Sequence, residues 1–152
     1  MAGGIAMNVG PSETNAGSAF LRSLQEEGAV PLVSANVRPA AKPGPSIARS
    51  FVRKVGSIRI GITGIATPED VGTSEDFVAL EYGPVLIDEV AALRASAEVV
   101  VVLAHSSRND ALDLARLVEG IDLIVHASRD AEGFDEPPPP ESSDGRSSPA
   151  RA

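Results

Sequence analysis

The sequence predicts an α/β fold with mixed sheets and a hairpin near residues 50–65, on three observations. Residues 98–105, EVVVVLAH, form a run too uniformly apolar to alternate between core and water. Its β-branched side chains favour a pleated strand, and an unbroken apolar strand suits a sheet covered on both faces, usually a parallel one. Residues 50–65 alternate apolar and polar on either side of Gly56-Ser57, the pattern of two antiparallel strands and a tight turn. Strand and helix patterns also alternate in both halves of the chain, as stacked βαβ units require.

In order, residues 5–9 read as a short strand, followed by a turn at Gly10-Pro11-Ser12. Ser12 or Thr14 is positioned to cap the next helix, with Glu13 near its positive end. Ala16, Phe20, Leu21 and Leu24 recur at helical spacing, and Gly28 is a natural stop. Residues 30–37, VPLVSANV, read as one strand. Residues 38–47 form a Pro/Gly-rich loop and 66–76 a second loop, with an extended piece near 77–82. Pro84 opens a helix whose inner face carries Val85, Leu86, Val90 and Leu93, with Asp88, Glu89 and Arg94 largely outside. After the valine strand, Asn109 or Asp110 begins a helix that ends at Gly120, and residues 121–125 give the last strand. Residues 1–126 thus constitute one domain. Residues 127–152, rich in Pro, Ser, Gly and acidic side chains, are expected to be a disordered tail, because they bury too little apolar surface to offset ordering.

The totals narrow the chemistry. Of 152 residues only four are Phe and one Tyr, with no Trp, so Val, Ile, Leu and Ala build the core. A net charge of −8 argues against nucleic acid or an anionic membrane as partner. Without cysteine there is no disulfide, thiolate metal site or thiol nucleophile. No segment approaches the roughly 18 apolar residues of a membrane span. The first ten residues lack the basic and apolar regions of a secretion signal. The valine run ends at His105, the carboxyl end of a central strand, where open α/β sheets place ligands. His126 reads as a strand-end histidine. Asn8 and Asn36 read as turn-stabilising side chains, and Ser106, Ser107 and Asp110 as a helix cap rather than hydroxyl chemistry with His105.

Several stretches together resemble the 5'-nucleotidase (UDP-sugar hydrolase) branch of the calcineurin-like metallophosphoesterases. Residues 6–10, AMNVG, resemble that family's "DAM-x-x-G" segment, and VSANV at 33–37 its following strand. RIGITGIATPE at 59–69, VVVVLAH at 99–105 and GIDLIV at 120–125 resemble later strands, in the right order. The resemblance implies an incomplete four-layer αββα sandwich and a site for two divalent cations, Mn, Zn or similar. Such cations polarise phosphoryl oxygens and deprotonate a bridging water. The substrate it implies is a nucleotide or another phosphate ester.

The family draws its site from five blocks. The first two lie upstream of the "DAM" segment, and this chain is expected to begin too late to hold them. The third is Gly-Asn-His-Glu; Gly10-Pro11-Ser12-Glu13 stands there, so Ser12 occupies the catalytic histidine position and Pro11 the metal-binding asparagine. His105 fits the fourth, a lone metal-binding histidine. In the fifth, Gly-Gly-His-x-His, Ser128 and Asp130 stand on the histidine positions and His126 on a glycine. The metal ligands are then His105 and Asp130.

The expectation is a phosphoesterase by ancestry that is inactive as it stands; the alternative is a non-catalytic binding or regulatory module. A third account, a hydrolase built from His105, Asp130 and Asn8 or Glu13, remains open. The shift into Pro/Ser/Arg-rich sequence after Val125 is also what a reading-frame change leaves. Missing strands would expose a sheet edge or face and promote self-association. Relatives are often periplasmic or secreted; the compartment of this chain is left undetermined.

Overall fold

The structure is a computed structural model that describes residues 6–28, 30–72, 74–127 and 140–142. Its first unit is β1 (Met7–Asn8), α1 (Pro11–Glu26) and β2 (Leu32–Val33), the two strands pairing in parallel. This is the strand–helix–strand unit the sequence predicts. Helix α1 starts at Pro11, whose missing N–H suits the first turn, with Gly10 as its N-cap in place of Ser12 or Thr14. Glu13 accepts a hydrogen bond from the Gly10 N–H at 3.0 Å. Gly17 breaks the helix with φ +86°, a conformation other residues resist. The break shifts the helical phase, so Leu21 is buried while Ala16 and Phe20 point to solvent.

Residues 30–37 do not form one strand. The chain turns at Ser34–Asn36 and leaves β2 for β3 (Val37–Pro39), which pairs antiparallel with β6 (Phe77–Ala79) in another sheet. The buried Asn36 amide is the reason. Its Nδ2 donates to the carbonyls of Ala66 (2.7 Å) and Leu80 (2.9 Å), and its Oδ1 accepts from the Ala66 N–H at 3.1 Å. A side chain that satisfies main-chain groups of two other segments competes with a continuous ladder.

The main sheet has four strands in the order β4, β5, β7, β8. β4 (Ser50–Val55) and β5 (Ile58–Ala66) form the expected antiparallel hairpin, joined at Gly56-Ser57. β7 (Val99–His105) lies parallel to both β5 and β8 (Leu123–Ala127). The last strand starts two residues later than the sequence suggests, because Asp122 Oδ2 accepts from the Val100 N–H and pairs with Arg94. β8 runs to Ala127, one residue past the expected end of the domain, and the expected tail beyond it lies outside the described residues except for 140–142. The loop expected at 66–76 contains a single helical turn, α2 (Pro68–Val71).

Helices α3 (Tyr82–Arg94) and α4 (Arg108–Leu117) cover one face of this sheet. Leu86, Val90 and Leu93 of α3 pack with Leu114 of α4, Val100 and Val102 of β7 and Ile65 of β5. Glu89, expected outside, is 8% exposed and holds the Arg49 guanidinium at 2.7 Å and the Ser50 hydroxyl. The start of β4 lies against that side of α3 and buries it. A second cluster joins Val9, Leu21, Leu32, Val37 and Phe77 to Ala66. Double coverage of the valine strand is only partly realised. Val100, Val102 and Ala104 are buried, whereas Val99, Val101, Leu103 and His105 on the opposite face are half-buried. Leu123 and Val125 lie on that second face by register and are 47% and 51% exposed.

Candidate functional site

His105 ends β7 at the carboxyl edge of the sheet. Its carbonyl accepts from the Thr67 N–H at 3.2 Å, which ties it to the start of α2. The imidazole is 20% exposed, and its Nε2 is shielded without a hydrogen-bond partner. Nearby is Asp70 of α2, whose Oδ2 lies 3.7 Å from Nε2 and accepts from the Thr67 hydroxyl at 2.6 Å. At 3.7 Å the pair is an ion pair only when the imidazole is protonated, and is too long for a hydrogen bond. The N-terminus of α1 closes the other side. A Cβ on Gly10 would stand 3.4 Å from His105 Cγ and 3.4 Å from Glu13 Oε2. The helix start therefore packs in van der Waals contact with the ring, with the Glu13 carboxylate beside it.

Asn8 sits beneath. Its Nδ2 donates to the Ile65 carbonyl at 2.7 Å, and its Oδ1 is buried without a partner against Gly64. A Cβ at Gly64 would fall 2.1 Å from that oxygen, so only glycine admits this approach. Asn36, as described, is committed to main-chain groups. Ser107 caps α4, its Oγ accepting from the Asp110 N–H at 3.1 Å. At the same end of the sheet the Tyr82 phenol is pushed above its ordinary range by burial, then by Asp110 and the carboxylates around it.

The residues singled out by sequence do not all meet. His126 pairs in register with Ala104, whereas His105 pairs with Ala127, so the two imidazoles leave opposite faces of the sheet. Ser12 is exposed on the first turn of α1. Ser128 and Asp130 lie outside the described residues. Among the described residues no group of three or more His, Asp or Glu side chains is placed to hold a metal ion. His105 Nε2 and Asp70 together supply one nitrogen and one carboxylate, which do not fit a two-cation centre. Asp70 went unnoticed in sequence, although Thr67-Pro68-Glu69-Asp70 has the spacing of a helix cap that would have placed its carboxylate. A polar hollow of about 540 Å³ beside it is lined by Glu69, Asp70, Glu75 and Asp76 with Thr14 and Asn15 of α1.

Comparison with known proteins finds the same fold in longer chains. The Termus thermophilus sulfate thiohydrolase SoxB, solved with glycerol, superposes with a TM-score of 0.62 at 24% identity, over 80% of this chain and 23% of its own. Haemophilus influenzae NAD nucleotidase (NadN) gives 0.69 at 23% identity, over 82% of this chain and 23% of its own. A putative 5'-nucleotidase from Staphylococcus aureus gives 0.61 at 15% identity, over 80% and 28%. The chain shares its fold with these three proteins. It spans about a quarter of the length of these solved proteins. No family model and no curated protein matches the sequence. The several sheets and four helices of the described residues make the mixed α/β fold that the sequence predicts.

Proposed function

We propose that this chain is part of a 5'-nucleotidase-type metallophosphoesterase domain, descended from enzymes that hydrolyse phosphate esters of nucleotides, and that as it stands it does not catalyse that reaction. The observation that carries the reading is His105: an imidazole at the carboxyl end of the central parallel strand, its Nε2 unpartnered, in a fold shared with a NAD nucleotidase and a putative 5'-nucleotidase. A divalent cation belongs to that ancestry, with His105 and Asp130 as the residues that would hold it. The two-cation route to in-line attack on phosphorus needs more donors than the described residues around His105 supply. Pro11 offers no side-chain donor, and the Ser12 hydroxyl is a poor general acid for a leaving alkoxide. The four carboxylates of the neighbouring hollow repel a phosphate ester that no cation escorts.

The test is metal content of the purified protein together with hydrolysis of 5'-nucleotides and bis-nitrophenyl phosphate in added manganese. We expect no turnover above the blank. Turnover that His105→Ala abolishes would overturn the inactivity and restore a working site.

A further inference from the structure

Helix α4 and strand β8 enclose a hollow of about 540 Å³ away from His105. Its walls are Ala111, Leu112 and Ala115 on the helix and Leu123, Ile124 and Val125 on the strand, and Pro140–Ser142 close it. The Arg108 guanidinium on the first turn of α4 forks onto Glu141: Nε donates to Oε1 at 3.0 Å, and a second nitrogen to Oε2. A cation at this end opposes the helix dipole, which favours negative charge there. A carboxylate brought from outside offsets both the arginine and the exposed N–H groups of the turn. Paired donors matched to paired oxygens also fix the orientation of the segment that carries the acid.

We propose that Pro140–Ser142 is an intramolecular strap, seated in the α4–β8 groove by the Arg108–Glu141 fork, that ties β8 to the first turn of α4. The occupant follows from chemistry: an extended segment with an acid next to proline fits an apolar floor with one guanidinium at its rim. β8 stands at the margin of the four-stranded sheet, and an uncovered margin is a template for another strand. Proline has no N–H, so no ladder can be extended at Pro140.

Amide hydrogen exchange of the full-length protein tests this, comparing the native chain with Glu141→Arg, Arg108→Glu and the double exchange. Each single variant should speed exchange at the amides of β8 by about threefold to fivefold, the upper range for an exposed ion pair. The double variant, which restores opposite charges, should return protection towards the native level. A synthetic peptide of residues 136–145 added to the Glu141→Arg protein should also slow exchange at β8. Equal exchange in all four proteins, or a double variant no better protected than the singles, overturns the strap.

Discussion

His105 and Asn36 show two fates of a polar side chain at a strand end. The Asn36 amide has its donor and acceptor filled by Ala66 and Leu80, so it acts as a structural bolt. Asn36→Ala would strand a buried N–H and two carbonyls, at about 1–3 kcal/mol for each group left unmet. We expect a loss of about 3 kcal/mol or more, read as a lower urea midpoint with an unchanged slope. The position of His105 is visible in the valine run before it, whereas the main-chain partners of the Asn36 amide lie at least 30 positions away. Tyr82 offers a direct reading of the local field, being the single tyrosine in a chain without tryptophan. Burial and the nearby Asp110 disfavour phenolate, so phenolate absorbance should titrate above the ordinary 10.0. Asp110→Asn should lower that midpoint. By linkage, the folded state holds the phenolic proton longer than the unfolded chain. The stability contributed is therefore complete below the unfolded value and is lost as pH rises through the folded one.

At the level of elements, legibility followed periodicity. The β4–β5 hairpin, β7 and α4 stood out because alternation, β-branching and a capping serine are local signals. Ser107→Ala should cost about 1 kcal/mol through loss of the cap, without altering the sheet, as judged by thermal melts against unchanged far-ultraviolet dichroism. Val30 to Val37 misled because its composition suits a strand throughout, and only the distant demands on Asn36 divide it. The phase of α1 misled at Gly17, where a positive φ resets which side chains face inwards. The approach of Asp70 to His105 depends on α2, a single turn that hydrophobic periodicity cannot register in so short a segment.

At the scale of the molecule, one sheet face is packed by two helices and the other, among the described residues, is partly open. Leu123 and Val125, with Val55 and Ile58 of the hairpin, are each about half exposed on that open face. At about 25 cal/mol per Å² of apolar area removed from water, covering such a face favours association. We expect sedimentation of the native chain to depend on concentration, and Val125→Lys to reduce that dependence. A native chain that sediments as a monomer at every concentration would contradict it. The fold was legible as an ordered set of segments; the opposed directions of His105 and His126 were not, since they depend on strand register.

Strand β5 gives Ile65 to the helix-covered cluster and its next residue, Ala66, to the cluster beneath α1. The two oily interiors therefore share a party wall one peptide unit thick. Neither can loosen without pulling that wall out of line for the other, so heat should melt the described body in one step rather than room by room.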